Sequence, residues 1–246
     1  MKKLMICILC LASIPTFAQF RLGVQGSFSA LNFWQTDGFG GLPSQEYTWG
    51  KNGYQAGVFA EYDLGYSGIT LQPALMYAVT GAHIGQTQGF QDNSNFTYYI
   101  SDSRVTINTL RLPVNLLYTY RIDPKFKVFG GAGPYIAKNL SGTEKGNFTG
   151  DSTNSNNYGY TTLRFKNTLS INSNASQATL GQSNVASLDI GMDILLGFQY
   201  KKLQVSASWM RGFQRQYYTN YVNMGNQIWN FTLGYVIFGH ERKPRL

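Results

Sequence analysis

In the stretch "LRLPVNLLYTY", Leu110, Leu112, Val114, Leu116 and Tyr118 take alternate positions, and Arg111, Pro113, Asn115 and Thr119 fall between them. A repeat of two marks a strand with unlike faces. The same alternation predicts eight strands, at about 20–32, 53–63, 68–83, 104–120, 125–138, 184–200, 202–213 and 226–239, with ends fixed to within about 2–4 residues. Splitting each strand by parity gives one oily set, among them Leu22, Val24 and Phe28, then Leu188, Ile190, Met192 and Ile194, then Trp229, Phe231, Leu233 and Tyr235. The opposite set is small and polar: Arg21, Gly23, Gln25 and Ser27 on the first strand, Gln55, Gly57 and Glu61 on the second, Asp189, Gly191 and Asp193 on the sixth.

That polar set is too wet for a soluble core. A sandwich buries its alternate residues against a second oily sheet, whereas a small membrane barrel turns its oil outward and fills its middle with polar side chains. The connections point the same way. They alternate between long ones (33–52, 84–103, 139–183, 214–225) and tight ones ("LGYS", "RIDPK", "KK"), so the long ones all lie on one side. The predicted fold is all-β: an eight-stranded antiparallel up-and-down transmembrane β-barrel with short periplasmic turns and long extracellular loops, in the cell outer membrane. A periplasmic lipocalin-like barrel is the rival, and it would bury its oil inward. Tyr54, Tyr62, Tyr77, Tyr118, Tyr120, Tyr200, Trp209, Phe213 and Trp229 read as two aromatic girdles. Pro73, Pro113 and Pro134 fall inside strands, where a missing N–H is costly, so bulges are expected there. The third long connection contains strand-like "YGYTTLRF" and "TLSINS", which predict an extended hairpin with a loose tip.

The ends and the composition narrow the class. The start, "MKKLMICILCLASIPTFAQF", has two lysines, a short apolar run and small residues at Thr16 and Ala18, the pattern of a secretory signal at 1–18 cleaved before a barrel domain at 19–246. Both cysteines, Cys7 and Cys10, lie in that segment, so the mature chain has no disulfide to hold it. The formal charge of +8 falls to +6 without Lys2 and Lys3. No run of Lys or Arg suggests nucleic acid, and an exported chain makes it a poor partner.

Candidate chemistry is sparse. Six ionisable residues point inward by parity, Arg21, Arg111 and Lys127 against Glu61, Asp189 and Asp193, and balanced signs suggest a lumen ion-pair network. A sharper reading makes Asp189 and Asp193 a carboxylate pair for acid–base work or cation binding. His83 near Ser101, Asp102 and Ser103 is the one conceivable hydrolytic trio, and no spacing motif supports it. No catalytic residue, cofactor or metal site is therefore assigned. Trp209, Arg211, Phe213 and Trp229 are expected at the lipid interface, where Arg211 either snorkels or meets a lipid phosphate. "DST" at Asp151–Thr153 fits a short O-glycosylation pattern that recurs by chance.

The segments "LRLPVNLLYTY", "KFKVFGGAGPYIA" and "SLDIGMDILLGFQYKKLQVSASWMRGF" resemble the PorT-like outer-membrane beta-barrel family of Bacteroidota, with its Pro-Leu strand, Gly-rich strand and Asp-x-Gly strand. The resemblance spans about 19–239 and implies an envelope location. It implies no shared catalytic group. An aromatic strand end is usual in the family; Phe238 supplies one here, and "GHERKPRL" follows it. The expected function is that of a non-enzymatic, porin-like barrel with a side-chain-filled lumen, meeting envelope or extracellular partners through aromatic-rich loops. Alternatives are small-molecule or ion transport, an accessory role in protein secretion, or a rim hydrolase. Expected partners are lipopolysaccharide and phospholipid of the outer membrane and envelope proteins, with the barrel itself a monomer.

Overall fold

Strand backbones carry their N–H and C=O groups sideways, so a spanning sheet must either close on itself or leave an edge in lipid. This chain closes. A computed structural model describes residues 20–36, 45–64, 68–92, 95–151, 160–168, 170–172, 184–218 and 223–239. They form β1 (Phe20–Thr36), β2 (Gln45–Asp63), β3 (Ile69–Asp92), β4 (Asn95–Arg121), β5 (Phe126–Asp151), β6 (Tyr160–Thr168), β7 (Ser170–Asn172), β8 (Asn184–Ala186), β9 (Leu188–Tyr200), β10 (Leu203–Tyr218) and β11 (Asn223–Phe238). Eight of these, β1 to β5 and β9 to β11, make the antiparallel barrel, with β11 paired to both β10 and β1. Two tight ends are described, the turn Ile122–Lys125 and Lys201–Lys202, where Lys201 takes a left-handed φ of 52°; most of the expected "LGYS" turn, 65–67, lies outside the described residues. The expected signal segment and the tail after Gly239 lie outside the described residues.

The long connections turn out to be largely strand. The β3–β4 ladder continues through the described residues of the expected loop 84–103, from Ile84 opposite Ser103 to Asp92 opposite Asn95. β4 is 27 residues long, and a membrane crossing takes about 9–11, so more than half of it stands outside the bilayer. β5 changes partner on the way up, from β9 along Phe126–Lys138 to β6 along Thr143–Asp151. That is the hairpin predicted from "YGYTTLRF". Past it, β7 and β8 pair in parallel, and β8 docks on β10 at Tyr217 and Tyr218.

The prolines are accommodated without the expected bulges. Each leaves a gap of two residue pairs in one ladder, and the register resumes unchanged on either side: Pro73 between β2 and β3, Pro113 between β3 and β4, Pro134 between β4 and β5. A missing N–H removes a bond but adds no residue, so no shift is required. The true shifts fall elsewhere, at Leu22/Gly23, Lys51/Tyr54, Asn108/Thr109, Arg211/Arg215 and Arg215/Tyr217.

The faces sort as the parity predicts. Leu196, Phe231, Leu233 and Ile237 are 57–70% exposed, on the outside of the wall, and such a continuous oily belt is tolerable only in lipid. The interior is less uniformly polar than the sequence suggests. Above a polar floor, Phe59, Ala74, Met76 and Val236 form one apolar cluster and Leu117, Phe129 and Leu195 another; at the outer mouth Leu31, Val105, Ile107, Met210 and Ile228 gather around Val185 of β8. Glycines at the paired positions of the neighbouring strand make room for the rings. A Cβ on Gly191 would sit 2.6 Å from the Tyr135 ring and one on Gly197 2.6 Å from the Phe129 ring.

If the outer face meets hydrocarbon, Ile194→Arg near the middle of β9 should lower unfolding stability in phospholipid vesicles by about 2–4 kcal/mol. A urea titration of the refolded protein measures this. No loss would mean that the face meets water.

Candidate functional site

The six inward ionisable residues all arrive in the lumen, each at most 9% exposed. They divide by height. At the periplasmic floor Arg21 lies opposite Glu61 in the β1–β2 register, and Arg21 Nη2 meets Glu61 Oε2 at 2.6 Å. Glu61 Oε1 also accepts from Gln72 Nε2 at 3.1 Å and Gln204 Nε2 at 2.7 Å, and Gln204 Nε2 reaches Gln199 Oε1 at 3.0 Å. Lys127 is buried at the same end. Amides thus do much of the work that charges alone were expected to do.

Arg111 is the hub of the middle. Its Nη1 donates to Gln55 Oε1 at 3.1 Å, and its guanidinium lies 5.8 Å from the centroid of the Tyr135 ring. It is electrostatically coupled to both Asp189 and Asp193. Those carboxylates have separate neighbours. Asp193 Oδ2 accepts from Asn115 Nδ2 at 2.9 Å, while Asp189 Oδ2 accepts from the Tyr135 hydroxyl and Asn226 Nδ2, each at 3.0 Å. Arg111, Asn115 and Asp193 line a small cavity of about 40 Å³, large enough for water. Arg111 Nε, Asn115 Oδ1 and Asp193 Oδ1 have no hydrogen-bond partner among the described residues, and water is the group that can both accept from the first and donate to the others.

Glu144, buried at 7% exposure, is a lumen residue that the alternation does not reveal. The Asn108/Thr109 shift moves inward parity on β5 from odd to even numbers above Asn139, so Glu144 comes to lie opposite buried Val105. A parity count carried straight through cannot find it. At the rim, Trp209 lies opposite Trp229 with ring centroids 6.5 Å apart, and Arg211 and Phe213 are on the same face of β10. His83 is set opposite Arg104, with Ser103, Asp102 and Ser101 continuing the ladder opposite Ile84, Gly85 and Gln86; the side chains of these three β4 residues lie outside the described residues. Of the aromatic residues expected in loops, Phe33, Trp34, Tyr47, Trp49, Phe90, Phe96, Tyr98, Tyr99, Tyr160, Tyr217 and Tyr218 fall on strands, and Phe39, Tyr158 and Tyr221 lie outside the described residues.

A closed wall, an oily belt and a lumen packed with its own side chains define a small outer-membrane β-barrel. The outer membrane protein beta-barrel domain family matches residues 17–217, and the chain belongs to that family. It resides in the outer membrane. Among solved structures, the outer membrane protein OprG from Pseudomonas aeruginosa is similar at 10% identity, with 89% of this chain and 96% of that chain covered and a TM-score of 0.50, a likeness of fold. Ail, the attachment invasion locus protein of Yersinia pestis, matches at 11% identity over 89% of this chain and 99% of its own, with a TM-score of 0.32. Neisserial surface protein A matches at 11% identity over 87% and 96%, with a TM-score of 0.31. No match was found among curated proteins.

Removing one partner of a buried ion pair costs about 3–5 kcal/mol because the other charge is stranded. Arg21→Met should therefore destabilise the barrel by that amount. Adding Glu61→Gln to it should recover most of the loss, since the side-chain amide oxygen introduced there can still accept from Gln72 and Gln204. Urea unfolding of the single and double variants measures the difference. Equal losses would mean that the pair contributes no charge coupling.

Proposed function

We propose that this is a non-enzymatic outer-membrane barrel, closed to passage, whose specific work is recognition by the strand-built hairpins that stand outside the bilayer. The observation that carries this reading is the β3–β4 ladder, paired without interruption from Ile84 to the tip at Asp92 and Asn95. A paired hairpin presents its side chains at fixed positions, so less ordering entropy is lost on binding than with a free loop. The filled lumen supports the same reading against transport, because about eight strands leave an interior only as wide as the side chains that occupy it, and here three apolar clusters and the Arg111 network occupy it.

The partners proposed are envelope or extracellular proteins at the hairpins, with lipopolysaccharide and phospholipid around a monomeric wall. The narrower kinship with PorT-like proteins of Bacteroidota rests on the Pro-Leu, Gly-rich and Asp-x-Gly segments, which fall on β4, β5 and β9. It supports an envelope role, with participation in secretion as the alternative, and the N-terminal pattern supports export by a cleaved signal at 1–18.

Crosslinking and pull-down from native envelopes, with the intact chain and a version lacking residues 86–101, should recover a partner that the shortened hairpin loses. The purified barrel should give no stable conductance steps in a planar bilayer. A partner retained by the shortened chain would sink recognition through this hairpin, and reproducible steps would restore the transport reading.

A further inference from the structure

The outward face of β10 is low where its neighbours are high. Ala207 is set between Leu196 of β9 and Phe231 of β11, and Val205 between Phe198 and Leu233. Small side chains between large ones leave a trough along the strand. It measures about 610 Å³, and Phe126 of β5 extends its edge, stacked on Phe198 with ring centroids 5.9 Å apart. At the periplasmic end its edge residue Phe126 directly follows Lys125, and Leu203, set between Tyr200 and Tyr235, separates the trough from the turn that carries Lys201 and Lys202.

These lysines belong to neighbouring turns. Lys201 N donates to Lys125 O at 2.7 Å, and Val236 N, on the far side of the trough, donates to Lys202 O at 2.9 Å. The Lys201 ammonium is held 5.4 Å from the centroid of the Tyr200 ring, itself on the lipid-facing side. Asp123 is the acid in this group, and its Oδ1 accepts from the backbone N–H groups of Lys125 and Phe126 at 2.6 and 2.8 Å. The three ammoniums outnumber it.

We propose that this trough binds one anionic phospholipid of the periplasmic leaflet, an acyl chain lying between β9 and β11 and the phosphate meeting Lys125, Lys201 and Lys202. Any oily wall is wetted by lipid tails. An open apolar groove with three cations at the turns beyond it is matched to a molecule with a tail at one end and a phosphodiester at the other.

Native mass spectrometry of the detergent-purified full chain, with phosphatidylglycerol or phosphatidylcholine added, tests the site. One phosphatidylglycerol should be retained in preference to phosphatidylcholine. Lys125→Gln, Lys201→Gln and Lys202→Gln should weaken that retention about fivefold for each lysine removed and leave phosphatidylcholine unaffected, whereas Ala207→Phe, which fills the trough, should lower retention of both. Faster migration of unheated samples on detergent gels checks that each variant folds. Equal retention of the two lipids by the parent chain would identify ordinary annular lipid and overturn the proposal. So would a dimer that buries β10, or variants that fold and lose no lipid.

Discussion

A peptide group inside a bilayer has no water to bond to, so each one must find its partner in the protein. This constraint explains why β11 returns to β1 and closes the wall. It also makes the prolines informative. Each removes one donor from a wall that has none to spare, and the wall answers by opening two pairs of one ladder while holding its register. A shift would turn every later side chain to the wrong face, which costs more than a lost bond or two.

Closure then dictates the interior. Side chains must fill the lumen, and a wholly polar filling would need a partner for every buried group. The chain instead alternates: an ionic floor, a band of rings seated against glycines, the Arg111 network, and an apolar cap. Putting amides between the charges lets Glu61, Asp189 and Asp193 be held by donors from several strands, so the polar levels tie the wall together across the barrel as well as around it.

Much of this is legible in the chain. Period-two alternation fixes which face each residue takes, so Arg21, Glu61, Arg111, Lys127, Asp189 and Asp193 can be placed in the lumen from sequence alone. What alternation cannot carry is distance around the ring. Gln204 of β10 reaching Glu61 of β2 depends on which strands face each other across the barrel, and Tyr135 reaching Asp189 depends on β5 pairing with β9, a strand far along the chain, and on the register between them. The extracellular strands escape the pattern for a related reason: outside the bilayer neither face needs to be oily, so "NFTYYISDS" shows no clean alternation although its backbone is paired throughout. Parity also fails past a bulge, as Glu144 shows.

The pairing pattern also orders events in time. Most seams of the barrel join strands adjacent in the chain, and β3 with β4 can zip from the pair Asp92 and Asn95, close neighbours in sequence. The β1–β11 seam joins Leu22 to Phe238 and Phe28 to Phe231, more than 200 positions apart. Closing so long a loop costs entropy that nearby contacts do not repay, so this seam is the last to form. Until it does, the sheet is an open ribbon with two bare edges, β1 and β11. The step that makes this chain a membrane protein is therefore the meeting of its two ends.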